Sequence, residues 1–183
     1  MKYDLNWLIE KYNNGERLKY LFFWGHQPRK DGSIGDSCFS QWWQSAFTVD
    51  GTEYKTAEHW MMAQKARLFN DEETLAKIIA AKTPAEAKKL GRAVRNFNPA
   101  QWDAHKYAFV KIGNVHKFSQ HADLKAYLLT TGDLVIVEAS PVDNIWGIGM
   151  AKDNPDVQNP AKWKGENLLG FALMEVRDEL RQS

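Results

Sequence analysis

The sequence predicts a single α+β domain, mostly helical, built around a small β-sheet. Its 183 residues are enough for one substantial core and few for two domains. In several segments a capping residue is followed by apolar residues at helical spacing, which predicts helices. Few segments show the short apolar runs that are typical of strands. No linker rich in Pro, Gly or Ser divides the chain, so one domain is expected.

The first quarter of the chain combines one helix with strands and a loop. Asp4 is expected to cap a short opening helix that ends at residues 13–15. Residues 18–24 are typical of a strand, and residues 25–37 of a long polar loop. Residues 47–54 predict a hairpin, because their central Asp-Gly adopts the positive φ angles of a tight turn.

Helices dominate the rest. Start signals lie at Thr56, at Asn70 with Glu73, at the capping box of residues 83–86, at Asn98 and near residue 122. The helix that follows the capping box is expected to span residues 84–95. Residues 134–138 are typical of a buried strand, residues 140–165 of a second long loop, and the chain then closes with an apolar helix.

Composition excludes several functional classes. A net charge of +1 argues against a protein that neutralises many phosphates of DNA or RNA. The single cysteine, Cys38, rules out a disulfide framework, and the five histidines lack metal-binding spacing. No glycine-rich phosphate loop, signal peptide or membrane span is present in the sequence. We therefore expect a cytoplasmic protein with neither a metal nor a cofactor.

Residues 56–65, TAEHWMMAQK, carry the main chemical signal. Glu58 and Lys65 fall at i and i+7 and so share one helix face. Their Cα atoms are separated by a rise of about 10 Å, and helical side chains lean toward the N-terminus, so the Lys65 head points back toward Glu58. A reactive acid–base pair is one interpretation. A solvated helix face is the other.

Three further segments supply candidate ligand contacts. Arg92 is a candidate phosphate ligand, with Gly91 allowing close approach, although a solvated basic stripe with Lys88 and Arg95 explains the same spacing. The loop after the second strand carries Asp143, Trp146 and Gly147, and it fits either a ligand site or a turn around a core tryptophan. Asn167 is either a helix cap or a ligand contact.

The order and spacing of these motifs resemble the YbiA-like, or NADAR, family from about Phe22 to Leu180. The segments that carry the resemblance are Phe39–Trp42, Val49–Gly51, Glu58–Lys65, Gly91-Arg92, Lys117-Phe118, Leu128–Gly132, Leu134–Glu138, Asp143–Gly147 and Gly165–Arg177. Two positions depart from the family pattern: Gln41 stands where Asn is common, and Ala57 stands where Ser commonly precedes the Glu. Both bear on substrate orientation.

The resemblance implies a YbiA-like fold in residues 18–183, with residues 1–17 as an N-terminal helical extension. It also implies an N-glycosidase, which cleaves the bond between a heterocyclic nitrogen and a phosphorylated ribose. Its implied substrates are reactive riboflavin-pathway intermediates or ADP-ribosylated guanine. The expected partner is thus a small phosphoribosyl or ADP-ribosyl molecule, with no membrane and no nucleic acid other than ADP-ribosylated guanine.

Two routes to bond cleavage stay open. The carboxylate of Glu58 stabilises positive charge on the sugar, with Asp143 as a second carboxylate or a ligand of a sugar hydroxyl. Alternatively, Lys65 attacks the open-chain aldehyde of the ribose and forms a Schiff base, expelling the base. Trp24 and Trp146 are candidates for stacking. A non-catalytic reader of ADP-ribose or of a phosphoribosyl metabolite is the alternative function.

Overall fold

A computed structural model of the protein describes residues 1–182. These residues form seven α-helices and four short β-strands, which confirms the predicted fold class. The helices are α1 (Leu5–Asn13), α2 (Ala57–Leu68), α3 (Glu72–Ala80), α4 (Pro84–Arg92), α5 (Pro99–Ser119), α6 (Ala122–Thr130) and α7 (Leu168–Arg181). The strands are β1 (Tyr20–Phe23), β2 (Phe47–Val49), β3 (Thr52–Tyr54) and β4 (Val135–Glu138).

The strands form two separate two-stranded sheets instead of the one small sheet that the sequence predicts. β1 pairs with β4 in parallel, and β2 pairs with β3 in antiparallel fashion around the predicted turn. Asp50 and Gly51 have φ angles of 49° and 77°, as a tight hairpin turn requires. By tertiary contacts the chain divides into unit 1, which comprises Met1–Ser40 and the segment from Asp123 onward, and unit 2, Gln41–Ala122.

Unit 1 is organised by α7, which packs on β4. Nearly all of this helix is buried, from Leu168 to Leu180. Its first turn lies directly on the strand: a Cβ atom at Gly170 would stand 2.1 Å from the carbonyl oxygen of Ile136. The absence of a side chain at Gly170 therefore permits the helix to approach the strand backbone.

Replacing Gly170 with Ala is expected to lower the free energy of unfolding by about 3 kcal/mol or more, because strand backbone cannot move aside as a side chain can. In a helix without such a contact, alanine is more favourable than glycine by about 1 kcal/mol and would stabilise the protein. A loss of stability on Gly170→Ala therefore identifies the clash with the strand. Chemical denaturation measures the change. Gly91→Ala is the comparison, since the added methyl group there meets the flexible Met62 side chain. An equal or smaller loss for Gly170→Ala would contradict the prediction.

Unit 2 is organised by α2, which packs against α3, α4 and α5. Trp60 on α2 donates its indole N–H to the Phe109 carbonyl on α5 at 2.8 Å. On the α4 side, a Cβ atom at Gly91 would stand 2.0 Å from the sulfur of Met62. The small residue at position 91 thus brings α4 against α2, whereas the sequence suggested that it admits a ligand.

Two predicted helix boundaries in unit 2 are wrong. α4 ends at Arg92 and not at residue 95, because the Arg95 amide donates to the Asp71 carboxylate at 2.9 Å instead of continuing the helix. The cap of α3 is Asp71, whose side chain accepts from the Thr74 amide at 3.1 Å. Asn70 instead adopts a φ of 56°, a turn conformation.

Candidate active site

The start of α2 holds Glu58 in a buried position. Thr56 caps the helix as predicted, with its hydroxyl oxygen accepting from the His59 amide at 3.3 Å. Glu58 is only 4% exposed, and its amide donates to the Gln41 carbonyl at 3.0 Å. Burial excludes the solvated-face interpretation for this carboxylate. Its place in the first turn puts it where the helix macrodipole favours negative charge.

His59 is buried at the start of α2 and bridges two neighbouring groups by hydrogen bonds. The ring is 1% exposed and lies between the Thr56 hydroxyl, 2.7 Å from Nδ1, and the Ala81 carbonyl, 3.1 Å from Nε2. A carbonyl only accepts, so Nε2 carries the hydrogen and a neutral Nδ1 accepts from Thr56. Burial lowers the pKa of His59, with the bond to Ala81 acting in the opposite direction. The folded protein thus keeps this imidazole neutral.

We expect the free energy of unfolding to fall as the pH drops from 6.5 toward the lowered folded pKa of His59. In that window the unfolded chain binds a proton that the folded chain does not, so stability is fully present above 6.5 and is lost below it. Urea denaturation at a series of pH values measures the slope. His59→Gln is expected to remove the part of this slope that comes from protonation of His59. An unchanged slope in that variant would contradict the assignment.

Lys65 lies two turns further along α2, half-buried against aromatic rings. Its Nζ is 4.3 Å from the ring centroid of Phe97 and 5.7 Å from that of Trp102. Burial lowers the pKa of Lys65, the Arg92 guanidinium lowers it further, and the Glu58 carboxylate acts in the opposite direction. Lys65 therefore interacts electrostatically with both Glu58 and Arg92 within unit 2. A lysine with a lowered pKa supplies more of the neutral amine that acts as a nucleophile.

Arg92 is exposed at the last turn of α4. Its side chain is available to an anion, as the phosphate interpretation requires. Arg95, from the same predicted stripe, has another role: its guanidinium contacts Asp71 at 2.8 Å and holds the pKa of that carboxyl well below its usual range. The stripe therefore does not act as one solvated face.

Two buried amides lie beside Glu58. Gln41, whose carbonyl accepts from the Glu58 amide, is 8% exposed, and Asn114 on α5 is fully buried. The Asn114 amide group donates to Gln41 Oε1 and to the Val110 carbonyl, both at 2.9 Å. Among the described residues, 1–182, Gln41 Nε2 and Asn114 Oδ1 are buried without hydrogen-bond partners. Unpaired buried polar atoms are costly, so this pair suits a polar ligand group that satisfies both.

No role for Lys117 was predicted from the sequence, although its motif contributes to the family resemblance. Lys117 is fully buried on the α5 face that also carries Val110, Gly113, Asn114 and Phe118. Fully buried lysines are rare outside specific pairings or functional sites. Its i+3 spacing from Asn114 is the one sequence signal that places it on the face of the polar pair. Lys117 is therefore an additional candidate site residue.

In unit 1, Asp143 organises the loop that follows β4. Its Oδ1 accepts from the amides of Ile145 and Trp146 at 2.9 and 2.8 Å. Ser140 Oγ in turn accepts from the Asp143 amide at 3.2 Å. One carboxylate oxygen of Asp143 is thus used to hold the turn. This geometry fits an orienting role for Asp143 better than a role as a proton donor.

Asn167 fastens the same loop to the strand. It occupies the N-cap position of α7 with a φ of 55°, but its side chain makes no capping bond. Instead Oδ1 accepts from the Glu138 amide and Nδ2 donates to the Ile136 carbonyl, both at 3.0 Å. The residue is fully buried. Its hydrogen bonds make Asn167 a positioning residue of the loop. The predicted cap position is confirmed without a capping bond from the side chain, and the ligand contact stays a prediction.

The remaining candidates of unit 1 differ in exposure. Trp24, just after β1, is 60% exposed, and Trp146 is half-buried. Gly147 is buried, and a Cβ atom there would stand 2.9 Å from the Glu138 carbonyl oxygen, so the backbone at the end of β4 occupies this space. Both tryptophans remain predicted stacking residues, whereas Gly147 closes the loop on β4.

The described residues, 1–182, contain no cluster of three or more His, Cys, Asp or Glu side chains able to hold a metal ion. None of the helices formed by these residues has the length and apolar character needed to cross a bilayer.

Comparison with known proteins places the chain in a family. Residues 22–181 match the NADAR domain. The chain is 46% identical to N-glycosidase R617 of Acanthamoeba polyphaga mimivirus, over 91% of this chain and 99% of that protein. It is 33% identical to N-glycosidase YbiA of Escherichia coli K12, over 79% of each chain. The NMR structure of E. coli YbiA matches this fold with a TM-score of 0.71, at 30% identity, over 90% of this chain and 86% of that one. The chain belongs to the NADAR domain family.

Proposed function

We propose that the protein is an N-glycosidase that hydrolyses the bond between a heterocyclic nitrogen and a phosphorylated ribose. The observation that carries the proposal is the buried Glu58 at the start of α2, together with Lys65 on the same helix, whose pKa both Glu58 and Arg92 influence. A carboxylate, an amine with a lowered pKa and an exposed guanidinium are the groups that this reaction needs. The relatives named N-glycosidases support the same activity.

Each group has a separate role in the proposed reaction. Departure of the base leaves positive charge on the sugar ring, which the Glu58 carboxylate stabilises. Arg92 binds the ribose phosphate through its planar fork. Lys65 either assists the carboxylate or attacks the ring-opened sugar, and Asp143 orients a sugar hydroxyl. Trp24 and Trp146 are the proposed stacking platforms for the base.

We further propose that the substrate is a riboflavin-pathway intermediate bearing ribose 5-phosphate or ADP-ribose linked to guanine. The buried pair Gln41 and Asn114 supports a polar substrate group near Glu58, because each amide has one unsatisfied atom, a donor on Gln41 and an acceptor on Asn114. A sugar hydroxyl both accepts and donates, and so it satisfies both.

The decisive experiment is incubation of the purified protein with each substrate class, with products read by mass spectrometry. We expect release of the free base together with ribose 5-phosphate from the first class or ADP-ribose from the second. Glu58→Gln is the control in which product release is expected to be strongly reduced. Binding of a substrate without any product, measured by calorimetry on the same samples, would establish the non-catalytic reader in place of the enzyme.

A further inference from the structure

A cavity of about 930 Å³ lies in unit 1, lined by α1, the segment before β1, the start of β4 and the end of α7. Glu58, Lys65, Arg92, Asp143 and Trp146 are not among its lining residues. Its volume falls within the range of small-molecule sites in proteins, about 300–1,000 Å³. The cavity is thus large enough for a nucleotide-sized molecule and uses different residues from the candidate active site.

The cavity lining has an excess of positive charge. It includes six basic and three acidic residues. The three acids are already engaged: Asp178 with Lys2, Glu16 with Lys11, and Asp133 with Arg181. Within residues 1–182, the other three lining cations form no salt bridge with a carboxylate; they are Arg17, Lys19 and Arg177.

Arg177 is the most informative of these cations. It is 2% exposed, and its Nη1 donates to the Thr131 hydroxyl at 2.9 Å and to the Leu134 carbonyl at 2.8 Å. Its Nε is buried and has no hydrogen-bond partner in the part of the chain that the structure describes. The Asp178 and Asp133 carboxylates interact with Arg177 electrostatically but form no salt bridge with it, and a buried guanidinium without a salt bridge is costly to maintain. The edge formed by Nε and Nη2 is the edge that binds two oxygens of one anion side by side.

Aromatic side chains from the N-terminal segment complete the lining. Tyr3 and Trp7 pack edge to face with ring centroids 4.8 Å apart, and the Lys11 ammonium lies 5.4 Å from the Trp7 ring. Both rings line the cavity. A flat ring and a phosphate on one small molecule would meet an aromatic wall and a cluster of cations.

We propose that this cavity is a second binding site, which takes a small molecule that carries a phosphate group and a flat ring. Arg177 binds the phosphate through its Nε–Nη2 edge, and Arg17 and Lys19 supply the surrounding positive charge. Tyr3 and Trp7 face the ring. The proposal gives the N-terminal extension a function, since α1 and the residues before it contribute one wall of the site.

Calorimetry with inorganic phosphate and with AMP tests the site at low ionic strength. We expect AMP to bind the wild-type protein more tightly than phosphate does. The double variant Arg17→Glu, Lys19→Glu is expected to bind AMP at least about tenfold more weakly, since each change removes an attractive charge. Both residues are exposed, so folding is unaffected. Arg177→Lys, which keeps the charge but loses the planar fork, is expected to weaken binding to a similar extent.

The matched control is Lys30→Glu, Lys152→Glu, which makes the same change in net charge at exposed positions outside the cavity. Amide chemical shifts of ¹⁵N-labelled protein locate the bound AMP: shifts at Lys2, Leu18 and Thr131 support the site, and they are expected to persist in Glu58→Gln. Equal loss of AMP affinity in the control, shifts confined to α2 and α4, or no binding of either probe at millimolar concentration would each overturn the proposal. Turnover is not measured, so the result is independent of the proposed enzymatic activity.

Discussion

Glu58→Gln is expected to lower kcat/KM for release of the base by about 100- to 1,000-fold, with most of the loss in kcat. The reason is electrostatic. The sugar gains positive charge only as the base departs, so a carboxylate stabilises the transition state more than the bound substrate. Glutamine preserves size and shape but not charge. Steady-state kinetics with the substrate identified by mass spectrometry measures the effect.

The fold is expected to survive this substitution. The Glu58 amide keeps its bond to the Gln41 carbonyl, because that contact is made by backbone, and the Thr56 cap of α2 is unchanged. Circular dichroism checks the helix content. Glu53→Gln is the matched control, since Glu53 is an exposed carboxylate on β3 in the same unit. Equal kcat/KM in Glu58→Gln and in the wild type would remove Glu58 from the mechanism.

Features set by neighbouring residues could be predicted from the sequence. The caps at Thr56, Thr83 and Asn98 all accept from the amide three residues onward, as their sequence pattern indicates. The Asp50-Gly51 turn is equally local. A cap or a tight turn is decided within a few residues, and so the side chains that form it stand together in the sequence.

Features that depend on distant partners could not be predicted. β1 and β4 pair across more than half of the chain, and no local pattern specifies that register. By its spacing Arg95 resembles one more cation on a helix face. In the structure, Asp71 at the start of α3 binds both its amide and its guanidinium. From the sequence, Gly91 suggests close approach of a ligand. In the structure, the sulfur of Met62 occupies the space beside its Cα atom.

The candidate site shows the same division. The sequence identified Glu58 and Lys65 because helical periodicity brings them to one face. It gave no role to Lys117 or Asn114, because the burial of a polar residue in a long helix depends on which helix packs against it. Asn167 was identified from the sequence as a candidate, but its role in holding the loop on β4 was not. Its two hydrogen bonds to β4 form only once the loop has folded back onto the strand.

Lys65→Ala is the second substitution with a large expected effect. If the amine is the nucleophile, its nitrogen bonds to C1 of the ring-opened ribose, the C1–N bond to the base breaks, and the base leaves with a proton. Water then hydrolyses the resulting Schiff base and regenerates the amine. Loss of the amine is expected to reduce turnover by about 1,000-fold or more, as loss of a nucleophile does. Lys89→Ala, an exposed lysine on α4, is the control.

Borohydride added during turnover identifies the nucleophile directly, because it reduces the Schiff base to a stable amine. Peptide mapping by mass spectrometry then gives the modified lysine. We expect the adduct on Lys65, where burial and Arg92 lower the pKa and so supply neutral amine. The adduct is expected to form faster as the pH rises toward that pKa and to level off above it. An adduct on the buried Lys117 would place the nucleophile on α5. If no adduct forms while turnover proceeds, cleavage is direct hydrolysis, with Glu58 as the group that stabilises the positive charge on the sugar.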